Sequence, residues 1–251
     1  QENIYDDVRK SLMRFFFLQR CGTELTKEYA GVYAHPACHN TNARIYGTDE
    51  FLEVNGGWHD AGDYGRYIVA AAVTLAALFH AIENDESLLK VDMQIPESGQ
   101  AMPDILTEIR YELEWMLKMQ DKATGKVYHK VTCANFCDFV MPEYETEELI
   151  ICPFSLTATA DFAACMAMAV KFYEPYDKAF ADKMAKAAKR AYAVMREIQV
   201  PGGFLNPEGV VTGTYEDKNE LDEQYWAAAE MYKAFGDELY KNEFENYVNQ
   251  E

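Results

Sequence analysis

Long stretches of helically spaced apolar residues alternate with long loops along this chain, and this alternation restricts the fold more than any other feature. The apolar residues recur every three to four positions, which places them on one face of a helix. Alternation with a period of two is almost absent, and short strands are expected only around 126–129. The pattern predicts an all-α array of helical hairpins in one domain, residues 1–251. About seven helices are predicted, over 4–19, 67–84, 103–120, 153–173, 176–199, 221–235 and 238–248.

The loop before the second predicted helix carries a dense group of residues suited to chemistry. It reads Gly-Gly-Trp-His-Asp-Ala-Gly-Asp-Tyr-Gly-Arg-Tyr over 56–67. Its glycines permit tight turns and a close approach to a ligand, and Asp60 and Asp63 can direct two carboxylates at one point. The positive end of the next helix dipole keeps such carboxylates ionised. The residues therefore indicate a carboxylate site that acts as a base or positions water. The alternative is that Asp63 only caps the helix.

Composition and charge exclude several functional classes. The chain has 251 residues, 49% of them apolar, which is enough for one sizeable core. A net charge of −19 argues against nucleic acid and anionic membranes as partners, because both require basic patches. No uncharged apolar run reaches about eighteen residues, so no membrane span is expected, and no signal peptide is expected within these residues. Six cysteines are too few for a disulfide scaffold.

The loop at 56–67 closely resembles the catalytic-base loop of glycoside hydrolase family 9, the endoglucanase and cellulase family. The resemblance continues from about Tyr5 to the C-terminus, and its segments follow in the expected order. These segments are FLQRCG (17–22), HPACH (35–39), IPES (95–98), PDIL (103–106), ELEWML (112–117) and YHKVT (128–132). The resemblance implies an (α/α)6 barrel of twelve helices, of which this chain would form roughly the first half.

The resemblance also implies a function, namely a secreted, inverting endo-β-1,4-glucanase that hydrolyses cellulose or a related β-glucan. Asp63 would be the general base, and Asp60 would help to hold the attacking water. Inverting glycosidases further need an acid about 6.5–9.5 Å from the base, which the family supplies from a glutamate in the second half of the barrel. That acid is missing here. Glu243 and Glu245 lie in a different context and are interpreted as the solvated face of a terminal helix.

Two residues are candidates for sugar binding. By resemblance, His129 in the YHKVT segment would line the cleft and hydrogen-bond a glucosyl hydroxyl, whereas a histidine in a loop is more often only a surface residue. Tyr215, in the sequence Thr-Gly-Thr-Tyr at 212–215, is a candidate for stacking on a sugar ring. Arg66 and Tyr67 are expected to support the loop rather than to contact substrate.

Two metal sites are predicted. Cys21, Cys38, His39 and His59 are ligand types that suit tetrahedral zinc, although their spacing is not that of a zinc finger. Family members that resemble this chain carry structural zinc at the matching positions. Such a zinc would join the end of the first helix, the HPACH loop and the loop at 56–67. The alternative is a Cys21–Cys38 disulfide, with the histidines hydrogen-bonded elsewhere.

The second predicted metal site lies in an acidic stretch before the helix at 221–235, which contains Asp217, Asn219, Asp222 and Glu223. Grouped oxygen ligands can bind calcium, but this spacing is not that of an EF-hand. On the residues alone, helix capping is the favoured explanation. The resemblance makes Asp222 and Glu223 calcium candidates, because family members often hold calcium near a matching Asp-Glu pair.

A second hypothesis places the chain in another class, a non-catalytic, zinc-stabilised helical module that binds sugar or a partner. Half of a barrel would leave apolar faces uncovered, and such faces promote association. Turnover by the chain alone would favour the enzyme over the binding module. Among the remaining cysteines, Cys165 in an Ala-rich helix is expected to be buried and inert. Nothing in the sequence settles the pairing of Cys133, Cys137 and Cys152.

Overall fold

The computed structural model of the chain describes residues 4–198 and 203–248. The predicted helices are confirmed within these ranges, with ends that agree to within a few residues. The predicted end at Gln199 lies outside the described residues. The helices are α1 (Asp6–Leu18), the four-residue α2 (Lys27–Ala30), α3 (Ile68–Asn84), α4 (Asp104–Met119), α5 (Leu156–Tyr173), α6 (Lys178–Met195), α7 (Leu221–Phe235) and α8 (Glu238–Val248).

Helix α5 lies in the core and packs against α3, α6 and α7. Most of its side chains are buried, and its many alanines allow the neighbouring helices to approach closely. Cys165 is buried in this helix, as predicted. The helix begins where the Ser155 hydroxyl accepts a hydrogen bond from the backbone N–H of Ala158 at 3.0 Å. Similar signals bound the other helices: Asp177 caps α6, and Gly236 ends α7 in the left-handed conformation.

A small five-stranded sheet joins the loops, and the sequence analysis did not predict it as a sheet. Its strands are β1 (Ala43–Ile45), β2 (Phe51–Leu52), β3 (Arg66–Tyr67), β4 (Lys130–Thr132) and β5 (Ile150–Ile151), in the order β2-β1-β5-β4-β3. Strands β1 and β5 are parallel, and the other pairs are antiparallel. The strands expected around 126–129 are displaced, since Val127 and Tyr128 form only single bridges and β4 begins at Lys130. The pairing of β3 with β4 brings the loop at 56–67 beside the YHKVT segment.

Helix α1 has apolar residues on two faces. Met13 and Phe17 are buried in the core, whereas Val8, Leu12 and Phe15 are each more than half exposed. This exposed stripe agrees with the uncovered apolar surface that the sequence analysis expected. No helix in the described part of the chain is both long enough and apolar enough to cross a membrane.

Glu243 in α8 departs from its interpretation as a solvated residue. Its carboxylate accepts a hydrogen bond from the Tyr192 hydroxyl and forms an ion pair with Arg196 at 2.6 Å. The side chain is consequently mostly buried between α6 and α8, with 19% exposure. Glu243 therefore joins two helices. Glu245 is exposed, as expected.

Candidate active site and metal centre

The loop at 56–67 starts with a short pairing to the end of α1. The backbone N–H of Cys21 donates to the Gly57 carbonyl, and that of His59 donates to the Gln19 carbonyl, each at 2.8 Å. Gly57 has a φ of +79°, and a Cβ there would lie 2.7 Å from the Trp115 ring. Only glycine allows this approach to α4 without displacing the ring.

The two aspartates of the loop occupy different environments. Asp63 is buried, with one carboxylate oxygen, Oδ2, accepting a hydrogen bond from the Tyr67 hydroxyl. Its other oxygen, Oδ1, is buried without a hydrogen-bond partner among the described residues. Asp60 is exposed, and its Oδ2 accepts a hydrogen bond from the Tyr215 hydroxyl at 2.5 Å. Partial desolvation of the Asp60 carboxylate by the surrounding loops raises its pKa, and the nearby charge of Asp63 raises it further despite the Tyr215 bond.

The capping interpretation of Asp63 is wrong. The N-cap of α3 is Tyr67, and no side chain in the described ranges caps that position. The oxygens of Asp63 are therefore not used on the free amides of the helix. Instead, its one partnered oxygen is held by a side-chain hydroxyl four residues ahead. Such a contact orients the carboxylate and leaves its second oxygen without a hydrogen bond to any described residue.

Arg66 and Tyr67 support the loop, as predicted. The buried guanidinium of Arg66 donates to the carbonyls of Val54 and Gly56 at 2.6 and 2.8 Å. The Tyr67 ring packs edge-on against Tyr215, with 4.8 Å between centroids. These contacts fix the two ends of the loop and place Tyr215 beside the carboxylates.

Lys130 is a residue of the site that the sequence analysis missed. Its ammonium is buried, lies 5.3 Å from the centroid of the Tyr67 ring, and donates to Asn206 Oδ1 and the Gly213 carbonyl at 2.7 Å each. Burial lowers the pKa of Lys130. These bonds join β4, the strand that contains Lys130, to the segment 206–213. That segment leads to Tyr215. The signal available in the sequence was a lysine within an otherwise buried strand.

His129 is fully buried, unlike a residue that lines an open cleft. One ring nitrogen, Nδ1, lies 2.8 Å from the Ser155 hydroxyl, and Nε2 lies 3.1 Å from the Thr214 carbonyl. The ring stacks on Phe204 with 3.6 Å between centroids. Burial lowers the pKa of His129 to about 3, so the ring is neutral at neutral pH. In that state Nε2 donates to Thr214 and Nδ1 accepts from Ser155. Tyr215, by contrast, is 43% exposed.

The four predicted zinc ligands come together. Donor atoms of Cys21, Cys38, His39 and His59 all lie within 4.8 Å of one another. All four residues are buried. Both thiols are free, as are the other four cysteines, so the Cys21–Cys38 disulfide alternative is not observed.

The hydrogen bonds around this cluster leave the imidazole lone pairs directed inward. His39 Nε2 lies 2.9 Å from Glu145 Oε2, and its buried Nδ1 has no partner among the described residues. His59 Nδ1 faces the Tyr64 carbonyl at 3.1 Å, while its Nε2 lies 3.4 Å from Cys38 Sγ. Outer carboxylate and carbonyl partners of this kind orient metal-bound histidines. The residues fit a tetrahedral zinc ion, and Glu145 is a supporting residue that the sequence analysis did not find.

The acidic stretch also forms a cluster. Carboxylate oxygens of Asp217, Asp222 and Glu223 lie within 4.8 Å of one another. The buried carboxylate of Asp161 from α5 lies near enough for the charges of Asp222 and Asp217 to raise its pKa beyond the effect of burial. Glu223 Oε2 is buried without a partner among the described residues, and burial raises the pKa of Glu223 to about 9. Asn219 instead accepts from the Leu221 N–H. The oxygen donors fit a hard cation such as calcium.

Fold and site together define a helical-hairpin protein with a carboxylate turn built next to a thiol–imidazole cluster. The sequence profile of glycosyl hydrolase family 9 matches residues 5–251, and the chain belongs to that family.

Two curated relatives and one solved structure align with nearly the whole of this chain and are longer than it. Endoglucanase D of Acetivibrio thermocellus is 41% identical over 99% of this chain and 40% of its own length. A cellodextrinase of Butyrivibrio fibrisolvens is also 41% identical, over 98% of this chain and 45% of its own. The structure of AaCel9A in complex with cellobiose-like isofagomine superimposes with a TM-score of 0.94 at 40% identity, covering 99% of this chain and 47% of that one. The chain thus spans about half the length of these relatives.

One solved relative is described as a zinc-binding triple mutant of the family 9 endoglucanase J30. It is 31% identical and superimposes with a TM-score of 0.89, covering 97% of this chain and 48% of that chain. The high structural similarity supports the expected fold, a partial (α/α)6 barrel. The small sheet is an addition that the periodicity did not predict.

Proposed function

We propose that this chain is part of a secreted, inverting endo-β-1,4-glucanase that acts on cellulose or a related β-glucan, with Asp63 as the general base. In this proposal residues 1–251 are one piece of a family 9 catalytic domain. The observation that carries the proposal is the uneven state of the Asp63 carboxylate. Tyr67 holds Oδ2, whereas Oδ1 is buried and unpartnered among the described residues. Buried polar atoms are normally hydrogen-bonded, and a catalytic role is one explanation for an exception.

The proposed reaction uses Asp63 and Asp60 on one face of the sugar. Asp63 Oδ1 takes a proton from a water molecule, while Asp60 helps to hold that water. The water oxygen forms a bond to the anomeric carbon as the glycosidic C–O bond breaks, which inverts the configuration. The leaving oxygen takes its proton from an acid that another part of the enzyme supplies. Tyr67 keeps Asp63 from rotating during the transfer.

The remaining predicted residues take supporting parts in this proposal. Zinc would be held by Cys21, Cys38, His39 and His59, and when bound it supplies a rigid anchor for the turn. Calcium would be held by Asp222 and Glu223, together with Asp217 and Asp161, and when bound it neutralises their charge. Tyr215 is partly exposed beside Asp60, where a sugar ring can reach it. His129 can bind a glucosyl hydroxyl only after Nε2 releases the Thr214 carbonyl.

The test measures the release of reducing ends from a soluble β-glucan by an active preparation that contains this chain. We expect Asp63→Asn to lower kcat by a factor of about 10³ or more, because the amide cannot accept the proton of the water. Asp49→Asn, in an exposed loop, is the matched control and should leave kcat unchanged. Retention of activity by Asp63→Asn would exclude Asp63 as the base.

The second candidate function is a non-catalytic module that binds sugar or a partner protein. The exposed stripe on α1 and the half-length match to the relatives favour it. Two measurements on the chain alone separate the two functions, an assay of turnover and a determination of its molecular mass in solution. A soluble chain that binds β-glucan without hydrolysing it supports the module. Turnover by the chain alone supports the enzyme and requires an acid within it.

A further inference from the structure

Trp58 precedes His59 and Asp60, and its backbone N–H points away from the pairing with the end of α1. The bonds of Cys21 and His59 flank Trp58 on this side, so its own N–H faces α4 instead. Trp58 is 7% exposed, so this donor is hidden from bulk water. A buried N–H without an acceptor costs about 1–3 kcal/mol. The acceptor it finds therefore matters for the position of the turn.

Two buried glutamates of α4, one helical turn apart, bind Trp58. Glu112 Oε2 accepts from the Trp58 backbone N–H at 2.6 Å, and Glu108 Oε1 accepts from the indole N–H at 2.8 Å. Their exposures are 1% and 0%. An i, i+4 pair lies on one face of a helix, so both carboxylates reach the same tryptophan.

The two glutamates differ in what else they do. Glu108 is ion-paired with Arg20 at 2.8 Å, and Arg20 also binds Glu97. Glu112 forms no ion pair with a described residue, and its one hydrogen bond in the described structure is the bond to Trp58. It also lines a small cavity of about 90 Å³ that Asp60 and His59 border. Core packing does not account for an acidic side chain at that position, because leucine or methionine would fill it without desolvating a carboxyl.

We propose that Glu112 is a positioning residue of the active site, which holds the turn carrying His59, Asp60 and Asp63 through the backbone N–H of Trp58. The catalytic meaning of this assignment rests on the function proposed above, whereas the hydrogen bond itself does not. Glu108 fixes the indole ring, and Glu112 fixes the main chain. Together they set the height and direction of the turn above α4.

The test compares Glu112→Gln, which keeps an acceptor oxygen, with Glu112→Met, which keeps the volume and removes the acceptor. The matched control is Glu114→Met on the same helix, where the side chain is about half exposed. The chain contains three tryptophans, so ¹⁵N-tryptophan labelling gives few amide signals, and Trp58→Phe assigns the one of interest. The first measurement is hydrogen exchange at the Trp58 amide. The second is the affinity for added Co²⁺ and its visible absorption, which report the geometry of the thiol–imidazole cluster.

We expect Glu112→Met to speed Trp58 amide exchange about tenfold and to weaken Co²⁺ binding about tenfold. In Glu112→Gln both the exchange rate and the Co²⁺ affinity should stay within about twofold of the wild-type values, and Glu114→Met should change neither. Unchanged exchange and an unchanged Co²⁺ spectrum in folded Glu112→Met would overturn the proposal. Exchange that rises equally in Glu112→Gln would also overturn it, since the acceptor would then not matter. These readouts need no turnover, so retained activity of Asp63→Asn in an active preparation would contradict the proposed function and not this assignment.

Discussion

The buried imidazole of His129 predicts a specific loss of stability in mild acid. Burial and the neighbouring Lys130 charge lower the pKa of His129 from 6.5 to about 3, against the opposing effect of the Thr214 carbonyl. Between pH 6.5 and about pH 3, His129 therefore binds a proton in the unfolded chain but not in the folded chain. The free energy of unfolding falls as the pH drops through this range. At pH 5 the difference amounts to about 2 kcal/mol, since each pH unit below 6.5 contributes about 1.4 kcal/mol. This figure holds for any folded pKa well below 5.

The assay is urea unfolding at pH 7 and pH 5, applied to the wild-type chain and to His129→Gln. Other groups also titrate in this range, so the informative quantity is the change in the free-energy difference between the two chains. We expect the variant to regain about 2 kcal/mol relative to wild type on going from pH 7 to pH 5. Phe204→Leu disturbs the same stack without removing a titratable group and should show no such change. If the free energy of unfolding of His129→Gln differs from that of the wild type by the same amount at pH 7 and at pH 5, the reasoning is refuted.

Three further predictions follow from the site. Chelation of bound zinc should lower the thermal midpoint, and added zinc should restore it; a midpoint that chelation leaves unchanged in a zinc-containing sample would contradict the anchor role. Gly57→Ala should lower the free energy of unfolding by at least about 2 kcal/mol more than Gly47→Ala. Both glycines have positive φ, but a Cβ meets Trp115 only at Gly57, so equal losses in urea unfolding would argue against that contact. Millimolar Ca²⁺ should raise the midpoint of the wild-type chain and not of Asp222→Asn; an equal rise in both would exclude Asp222 as a ligand.

The helices were predictable because their apolar spacing persists over 11 to 18 residues, which is long enough to show a period of 3.6. The sheet was not, since its strands are two or three residues long and a period of two needs at least four to appear. These strands are defined by pairing with distant segments. Arg44 meets Ile150, for example, across more than a hundred positions.

The site shows the same division between local and distant information. The loop sequence indicated the carboxylates, and the residue types indicated the metal ligands. The supporting partners come from elsewhere: Glu145 reaches His39, and Lys130 reaches the segment 206–213. A buried charge such as Asp161 among alanines signals that a partner exists, but the sequence does not say which residue provides it. Glu243 was misread for the same reason, because Tyr192 and Arg196 approach it only in the folded chain.

The exposed apolar stripe of α1 has a consequence for the association state of this chain in concentrated samples. The exposed surface of this helix is apolar, formed by Val8, Leu12 and Phe15, and its contact with water is unfavourable. At the concentrations used for crystallisation or spectroscopy, we expect copies to associate through this surface, which would broaden the signals of the sample. Replacing Leu12 and Phe15 with lysine or glutamate, while leaving Met13 and Phe17 in the core, gives a route to a monodisperse sample.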